Sequence, residues 1–392
     1  MDRLRLGIIG TGSVVREIYR HLYFHSDYSR LLSVEAAADP SAEALAAFCD
    51  PYGIPPDRRY PSYVDMLSGT ELDAVQVNTP DSLHEEPTVR ALRSGLDVLV
   101  PKPLADTIGA AHAMIDAART SGRLLVVDFH KRDDPRIREA AARYRRGDYG
   151  EYQCSVWYML DKLMVADPNH EPRFFASPDF VEKNSPISFL TVHMADALLS
   201  IIGLRPVTVR ASSWNQKLAS LRPISSKGCD MCDTEVTFEN GGVAHILTGW
   251  HLPNSAHATT VQSARLICTN GMVDLGLDTP GFRELAAEGI QERNPLFRNF
   301  EPDGSVSGYG ISRPGRLYGK LLRARRGEMP AEERDQLLDP VELGFWTTVI
   351  LQAAERSLAS GDGCPGGATR GVQVDVEALV REELGDAARA YL

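Results

Sequence analysis

A short apolar segment followed at once by a glycine turn, near the start of the chain, most restricts how this sequence can fold. Residues 4–9 have the composition of a buried strand, and Gly10-Thr11-Gly12-Ser13-Val14 follows them directly. In a strand–turn–helix unit the first glycine permits the tight turn, and the second lets the backbone approach a dinucleotide pyrophosphate. Val15 replaces the third glycine of this pattern, so the motif needs support from its surroundings.

The segments that follow supply this support, because strand-like and helix-like segments alternate. Apolar runs rich in Val, Ile and Leu recur at 32–38, 72–77, 96–100 and 123–127. Runs of this kind, with little polar alternation, are typical of strands buried on both faces of a parallel sheet. Segments with helical spacing lie between them at 41–49, 83–94 and 108–120. This alternation predicts an α/β fold that begins with a Rossmann dinucleotide-binding domain over residues 1–128.

The alternation ends near residue 129, and longer strand candidates follow. They cover 152–159, 207–213, 234–238, 244–250 and 264–268, and Asn240-Gly241 is a typical hairpin turn. Helices are predicted over 134–146, 189–202 and 341–359, an irregular surface excursion over 277–335, and a glycine-rich, then weakly helical tail after Gly361. We therefore expect a C-terminal α+β domain over residues 129–392, with a mostly antiparallel sheet and a few helices.

An acidic residue ends the second predicted strand, in Ala38-Asp39-Pro40. A carboxylate at this point can accept hydrogen bonds from the adenosine ribose hydroxyls, and it repels a 2′-phosphate. Asp39 therefore favours NAD over NADP as the cofactor. An ordinary helix cap before Ser41 is the alternative role, and Asp39 could fill both. The distance from the glycine turn exceeds the ~20 residues usual for this acid, and the extra residues are expected around 24–29.

Composition excludes several classes of partner. The 392 residues carry a formal charge of -11, which argues against a general nucleic-acid binder. The sequence contains neither an apolar stretch long enough for a membrane span nor a signal-like start, so we expect a cytoplasmic protein without membrane partners. The six cysteines are then expected to be reduced thiols.

One pair of cysteines has the spacing of metal ligands, in Cys229-Asp230-Met231-Cys232. A structural zinc site needs four ligands, and no second pair follows. We therefore predict no metal and interpret the pair as two thiols near a hairpin.

Further motifs follow one another in an order that resembles a known family. They are Gly10-Thr11-Gly12, Asp39-Pro40, Asn78-Thr79-Pro80-Asp81 with His84, Pro101-Lys102-Pro103, Arg132-Asp133-Asp134-Pro135, Gly147-Asp148-Tyr149-Gly150, Val192-His193-Met194-Ala195-Asp196 and Ala354-Glu355-Arg356-Ser357-Leu358. Taken together, they resemble the glucose–fructose oxidoreductase and inositol dehydrogenase family, over most of the chain.

The resemblance implies an NAD-dependent dehydrogenase that oxidises a ring secondary alcohol, with the 3-position of a hexose as one specific expectation. The substrate would be a sugar, nucleotide sugar, aminosugar or cyclitol. The C-terminal domain would bind it and would contain a large open sheet, through which the protein forms a homodimer or homotetramer. Lys102 and His193 would be catalytic. The cofactor would contact Gly10, Thr11, Gly12, Ser13, Val14, Asp39, Asn78, Thr79, Pro80, His84 and Lys102, and the substrate Lys102, Tyr158, Asn184 and His193. Lys131, Arg132, Lys162 and Arg173 are further candidates for substrate contacts.

Two positions depart from the family pattern. Pro101 stands where a glutamate is usual, and Phe189 stands where many members carry an aspartate one turn before the histidine. Asp196 could partly replace that aspartate, or it could be a structural helix residue. Two alternatives follow: a glycoside hydrolase that uses NAD for transient oxidation, and a non-catalytic NAD-binding regulator of the same fold.

Overall fold

The computed structural model describes residues 2–174, 180–221, 229–278, 282–286 and 289–392. The chain divides into two compact units. Unit 1 comprises Met1–Asp134 and Leu296–Phe345, and unit 2 comprises Pro135–Pro295 and Trp346–Leu392. This division differs from two contiguous domains of 1–128 and 129–392, because a segment of some fifty residues returns to unit 1. The assignment of cofactor binding to one domain and substrate binding to the other stays a prediction.

Nineteen strands are found among the described residues. They are β1 (Leu4–Ile9), β2 (Leu32–Ala38), β3 (Arg59–Tyr60), β4 (Ala74–Val77), β5 (Asp97–Pro101), β6 (Leu125–Asp128), β7 (Tyr152–Lys162), β8 (Pro206–Trp214), β9 (Met231–Phe238), β10 (Val243–Leu252), β11 (Thr260–Cys268), β12 (Gly271–Gly276), β13 (Phe282–Ala286), β14 (Gly289–Arg293), β15 (Asn299–Phe300), β16 (Val306–Ser307), β17 (Asp362–Cys364), β18 (Ala368–Arg370) and β19 (Val374–Asp375).

The described α-helices number thirteen. They are α1 (Arg20–Phe24), α2 (Ala42–Cys49), α3 (Tyr63–Gly69), α4 (Glu85–Arg93), α5 (Ile108–Ser121), α6 (Pro135–Arg145), α7 (Phe180–Lys183), α8 (Val192–Ile202), α9 (Lys217–Leu221), α10 (Tyr309–Arg325), α11 (Ala331–Leu337), α12 (Phe345–Ala359) and α13 (Val376–Leu384). The residues around 24–29, expected to lengthen the first helix or loop, lead into a tight helical turn at Asp27–Leu31.

Unit 1 contains a parallel six-stranded sheet in the order β3-β2-β1-β4-β5-β6. Its strands are apolar on both faces, with Leu6, Val75 and Leu99 fully buried, as a sheet covered on both sides requires. Because the strands are parallel, their carboxyl ends meet at one edge, and the strand order changes direction at β1. The predicted Rossmann domain is confirmed.

The predicted irregular excursion over 277–335 is wrong for its second half, which contains the long helix α10 and the short helix α11. Helix α10 contains Gly310, Pro314 and Gly315, which are unfavourable in helices, so the sequence does not indicate a helix here. Gly315 is needed because a Cβ there would stand 2.3 Å from the Tyr28 ring. Tyr318 and Leu321 of the same helix lie in the core of unit 1. Residues 279–281 and 287–288 of the predicted excursion lie outside the described residues.

Unit 2 contains a nine-stranded, mostly antiparallel sheet, in the order β12-β11-β7-β10-β9-β8-β18-β17, with β19 paired to β8. Only the β7–β10 pair among these described ladders is parallel. The predicted hairpin joins β9 to β10, with Gly241 at φ 81°. The predicted open-sheet architecture is thus confirmed.

The two faces of this sheet have different surroundings. Helix α8 packs against β7, and the turn before it packs against β10. Trp157 and Asp161 of β7 are buried on that side, whereas Val156, on the opposite side, is 49% exposed. Successive residues of a strand point to opposite faces, so odd-numbered residues of β7 from 155 to 161 face α8 and the even-numbered ones face away.

Candidate functional site

The glycine turn closes directly onto the neighbouring strand. Gly10 has φ 83°, and its N–H donates to the Ala38 carbonyl over 2.8 Å. A Cβ at Gly10 would lie 2.7 Å from the Asn78 carbonyl oxygen. Both the positive φ and this close approach exclude other residues at Gly10.

Gly12 presents the opposite situation. Apart from the adjoining residues of the chain, no atom of the described residues lies within 4 Å of the position that a Cβ would take at Gly12. The Arg16 N–H donates to the Gly12 carbonyl over 3.2 Å, so a helix begins here, and Ser13 and Val14 are exposed in its first turn. The absence of a side chain leaves space beside the free N–H groups of a helix start, which is the arrangement that binds a phosphate group.

A groove of about 630 Å³ lies at the carboxyl edge of the sheet, beside this turn. Its walls come from the ends of β1, β2 and β4 and from the segments after them, and they include Gly10, Gly12, Asp39, Asn78, Thr79 and Pro80. A volume of this size suits a small organic ligand. Ser62 and Tyr63 also line it, and the sequence reasoning missed them because they follow β3, a strand too short to leave a pattern.

Asp39 holds the turn and also faces the groove. Its Oδ2 accepts hydrogen bonds from Thr11 N–H over 2.8 Å and from the Thr11 hydroxyl over 3.2 Å. Its Oδ1 accepts from Ser41 N–H over 2.8 Å, while Ser41 itself caps α2. A carboxylate offers about four acceptor positions, so one remains for a ligand. Asp39 is therefore both a structural residue and a groove residue.

Hydrogen bonds of side chains fix the segment after β4. The Thr79 hydroxyl donates to the Leu83 carbonyl over 2.9 Å. Gln76 donates to the Asn78 side-chain oxygen over 2.8 Å, and Gln76 in turn accepts from the Tyr23 hydroxyl over 2.6 Å. This buried hydrogen-bond chain fixes the wall of the groove that Asn78 provides.

His84 lies between two segments of the chain. It is buried, its Nε2 lies 3.0 Å from the Thr79 carbonyl oxygen, and its Nδ1 lies 3.1 Å from that of Pro103. Because both ring nitrogens face backbone carbonyls, His84 joins the segment after β4 to the segment after β5. His84 thus helps to fix the chain directly after Lys102.

Lys102 follows β5 at the same edge of the sheet, one strand beyond the groove. It is partly exposed, and its charge acts on Asp81 and on His130. Burial raises the pKa of Asp81, and the Lys102 ammonium opposes this shift. Burial lowers the pKa of His130 well below its usual range, and the charges of Lys131 and Lys102 lower it further. Lys102 thus lies within a small cluster of interacting charges.

Arg132, a candidate substrate contact, is occupied within unit 1. Its guanidinium donates to the Glu342 carboxylate over 2.8 Å and to the Val341 carbonyl over 2.8 Å. The charges of Arg132 and Arg313 hold the pKa of Glu342 below its usual range, against the effect of burial. Arg132 therefore joins the chain after β6 to the returning segment.

A buried acid supports the helix after the glycine turn. The Tyr19 hydroxyl donates to Asp128 Oδ2 over 2.8 Å, and burial raises the pKa of Asp128 to about 7. Asp128 ends β6, where the sequence gives no sign that its carboxylate turns into the core. Tyr19 lies in a π-helical turn, Val15–Tyr19, and such turns are frequent at functional sites.

A second π-helical turn, Ile187–Thr191, leads directly into the helix of His193 in unit 2. The Thr191 hydroxyl lies 2.8 Å from that of Thr248 in β10, which fixes the turn on the sheet. His193 is partly exposed, between the buried residues Val192 and Met194. The neighbouring acid Asp196 is buried, 3.5 Å from the Thr347 hydroxyl of α12, which is a structural environment.

Phe189 lies in this turn and belongs to an aromatic cluster. Its ring meets that of Phe180 edge-on at 5.2 Å, and the Phe180 ring lies 5.9 Å from that of Trp250. The position that carries an aspartate in many family members is thus part of an aromatic cluster here.

Tyr158 and Asn184 are the two other predicted substrate contacts in unit 2. Thr248 lies opposite Met159 in the β7–β10 ladder, so the turn before α8 covers the Met159 face. Tyr158 points to the other face. The Asn184 amide donates to the Phe180 carbonyl over 2.8 Å and thus ends α7.

Asp161 is the acid that sequence reasoning overlooked on the α8 face. It is buried, and its Oδ1 accepts the Thr260 hydroxyl hydrogen bond over 2.6 Å. The signal was available, because Asp161 is the one charged residue in the alternating buried series of β7.

Two features are absent from the described residues. No helix there is both long and apolar enough to cross a membrane. Within the same residues, no three His, Cys, Asp or Glu side chains are grouped so that they could hold a metal ion.

Known proteins are similar to this chain in sequence and in fold. Residues 4–129 match the sequence model of an oxidoreductase family with an NAD-binding Rossmann fold. The chain is 28% identical to D-glucoside 3-dehydrogenase of Escherichia coli over 262 residues, which are 64% of this chain and 71% of that protein. It is 29% identical to inositol 2-dehydrogenase of Rubrobacter xylanophilus over 36% of this chain and 40% of that one.

Solved structures extend the likeness in fold to both units. A crystal structure of scyllo-inositol dehydrogenase from Lactobacillus casei, with bound NAD(H) and scyllo-inositol, matches with a TM-score of 0.71 at 16% identity. The match covers 95% of this chain and 99% of the other. Residues 4–129 thus match the oxidoreductase family in sequence, and the likeness in fold to inositol dehydrogenases extends over most of the chain.

Proposed function

We propose that this protein is an NAD-dependent dehydrogenase that oxidises a ring secondary alcohol of a sugar, nucleotide sugar, aminosugar or cyclitol. The observation that carries the proposal is the groove beside Gly12, with Asp39 at its wall and one carboxylate acceptor position left over. A dinucleotide needs both a phosphate cradle and a ribose acceptor, and these two features supply them.

The cofactor fits this chain at three points. The N–H groups after Gly12 would hold the pyrophosphate, since no side chain occupies the space there. Asp39 would accept a ribose hydroxyl and would repel a 2′-phosphate, which favours NAD. Asn78, Thr79 and Pro80 would line the groove. Bound NAD would supply the hydride acceptor for the oxidation of an alcohol carbon.

Side chains of this protein would accept the proton of the alcohol and stabilise the negative charge that develops on its oxygen. We assign the base role to His193, because an imidazole exchanges protons near neutrality. We assign to Lys102 the stabilisation of negative charge on the reacting oxygen, since an ammonium is a strong hydrogen-bond donor to an alkoxide. Two prolines flank Lys102, and His84 joins the segments beside it, so its backbone is well fixed.

The substrate class rests on the relatives. D-Glucoside 3-dehydrogenase acts at the 3-position of a glucoside by its name, and inositol 2-dehydrogenase acts on a cyclitol. Both would present a ring secondary alcohol, and the 3-position of a hexose is the specific expectation for this chain. The aromatic cluster at Phe189 supports a substrate whose apolar ring face can lie against aromatic side chains.

The protein is further proposed to be a homodimer or homotetramer formed through the open face of the nine-stranded sheet. This face, opposite α8, carries exposed apolar side chains, among them Val156 at 49% and Met272 at 54% exposure. Charged side chains alternate with them, including the cross-strand pair Arg265–Asp274. Light scattering of wild type and of Val156→Lys tests this: the variant should shift towards monomer.

The test of the activity is net NADH formation with a panel of sugars, sugar phosphates, nucleotide sugars, aminosugars and cyclitols. Lys102→Ala and His193→Ala should each lower kcat at least 100-fold, while NAD binding stays within about threefold of wild type. Lys217→Ala and His257→Ala, at exposed positions of unit 2, are the matched controls and should retain full activity.

Three results would contradict the proposal. Full activity in Lys102→Ala would contradict the assignment of Lys102 and His193 as the catalytic pair. Glycoside cleavage without net NADH release would favour the hydrolase, and NAD binding without turnover of any panel member would favour the regulator.

A further inference from the structure

Two buried thiols of unit 2 face each other at a short distance. The sulfur atoms of Cys229 and Cys232 are 3.2 Å apart. Cys229 is 4% exposed and Cys232 is fully buried. A disulfide bond has a length of about 2.05 Å, so about 1 Å of movement separates this pair from a covalent bond.

The backbone holds both cysteines in this arrangement. Asp230, between them, donates its N–H to the Trp214 carbonyl over 2.7 Å and accepts from Trp250 N–H over 2.9 Å. Its carboxylate accepts from the Leu218 N–H over 2.7 Å and from the Gln216 N–H over 2.6 Å, at the start of α9. The peptide between the two thiols is therefore fixed on both sides.

Cys232 is fixed in addition by the sheet. It lies in β9, opposite Ser213 of β8 and Thr248 of β10. Because both neighbouring strands pair with it, the position of the Cys232 sulfur follows from the ladder rather than from a flexible loop. The proximity of the thiols is thus built into the fold.

A metal site explains this pair less well. No third His, Cys, Asp or Glu side chain joins the thiols among the described residues. Two thiolates on one tetrahedral zinc ion, with Zn–S bonds of 2.3 Å, would stand about 3.8 Å apart. The observed separation of 3.2 Å is shorter.

We propose that Cys229 and Cys232 form a dithiol–disulfide couple that a small-molecule disulfide oxidises by thiol–disulfide exchange. The Cys229 thiolate attacks one sulfur of the small disulfide, and one small thiolate leaves. The Cys232 thiol then loses its proton and attacks the Cys229 sulfur of the mixed disulfide, and the second small thiolate leaves. Two protein thiols are oxidised, and one small disulfide is reduced to two thiols.

The order of these steps follows from the two environments. Cys229 is the thiol with measurable exposure, so the small disulfide reaches it first. The hydrogen bond with Cys229 and burial raise the pKa of Cys232 well above its usual range, which keeps Cys232 protonated until the mixed disulfide has formed.

The experiment uses the full chain with 2-hydroxyethyl disulfide as the probe. After acid quenching, denaturation and alkylation, the reduced chain should carry a label on each of its six cysteines. The oxidised chain should lose the labels of Cys229 and Cys232, and the peptide that contains both should be lighter by two hydrogen atoms. Dithiothreitol should restore both labels.

Cys154→Ser is the matched control, because Cys154 is exposed and lies outside the pair. It should still lose both labels of the pair. Cys229→Ser and Cys232→Ser should form no internal disulfide. The peptide mass of the wild-type chain decides the question if either variant fails to fold.

Two outcomes would overturn the proposal. In the first, both thiols of the pair remain labelled, or carry only stable mixed disulfides, after the exposed Cys154 has reacted fully. In the second, the purified chain contains one zinc ion per molecule that is lost in Cys232→Ser, which would make the pair part of a metal site.

Discussion

The glycine turn of unit 1 and the His193 helix of unit 2 are built in different ways. In the turn, the decisive features are backbone features: the φ of 83° at Gly10, its hydrogen bond to Ala38, and the open space at Gly12. At the helix, the decisive features are side-chain placements: the Thr191–Thr248 hydroxyl contact and the aromatic contacts of Phe189.

This difference explains why the two regions tolerate different changes. A backbone conformation that only glycine adopts allows no substitution, and it leaves a motif in the sequence. A side-chain arrangement on a sheet depends on strand register, and different residues can fill it. Asp161, paired with Thr260 of β11, is an example, because strand alternation and not a motif indicates its position.

The largest expected effect tests the backbone side of this comparison with two neighbouring glycines. Gly10→Ala should destabilise the protein by about 2–4 kcal/mol, because it combines a left-handed conformation with a Cβ 2.7 Å from a carbonyl oxygen. NAD binding should be lost with it. Chemical denaturation and calorimetric titration measure the two effects.

Gly12→Ala is the matched control. Its Cβ meets no described atom within 4 Å, so its stability should stay within about 1 kcal/mol of wild type, while NAD affinity falls at least tenfold. Equal loss of stability in both variants would show that the two glycines serve the fold alone.

The next effect separates the two roles of Asp39. Asp39→Asn keeps an oxygen acceptor for Thr11 N–H but removes the charge. We expect NAD affinity to fall about tenfold and the preference over NADP to narrow, since the charge no longer repels a 2′-phosphate. Asp39→Ala should show the same change in preference with an added loss of stability. An unchanged preference in both variants would assign cofactor choice to another residue.

Substitution of Asp128 tests whether the stability of unit 1 also depends on a buried side chain, the carboxyl group that contacts Tyr19. Its pKa is about 7 in the folded protein because of burial, against about 4 for an exposed aspartate. Between these values the folded state binds one more proton than the unfolded state. The free energy of unfolding should therefore fall as pH rises from 4 to 7, by up to about 1.4 kcal/mol per pH unit from this group.

Asp128→Asn should remove this contribution while its oxygen still accepts the Tyr19 hydroxyl hydrogen bond. Urea denaturation at several pH values measures the slope, with the exposed acid Asp116→Asn as the control. Identical slopes in wild type and Asp128→Asn would contradict the buried, protonated carboxyl group.

The same contrast explains what could be predicted from the sequence. The five longer strands of the parallel sheet follow from apolar runs, but β3 has two residues and leaves no pattern. Helix α10 was missed because its glycines fit against aromatic rings of distant segments, and tertiary packing overrides the local preference there.

The candidate site divides along the same line. Gly10 and Asp39 could be predicted because local chemistry specifies them. The surroundings of Tyr158 and Asn184 are less predictable, because they depend on strand parity and on a helix end, and their role as substrate contacts stays a prediction. The contacts of His84 with the Thr79, Pro103 and Leu104 carbonyls could not be predicted, because only the fold brings these segments together.

The smallest expected effect concerns unit 2, where side-chain placement decides, and it compares two residues of β7. Tyr158 points away from α8, so Tyr158→Phe should leave kcat/KM within about twofold of wild type. Asp161 points towards α8 and is buried, so Asp161→Asn should lower kcat/KM by more than that factor. Steady-state kinetics on the best substrate of the panel compares them. A larger loss of kcat/KM in Tyr158→Phe than in Asp161→Asn would mean that the open face of the sheet, and not the helix-covered face, binds the substrate. The alternation of side chains along β7 would then not identify the residues of the site in unit 2.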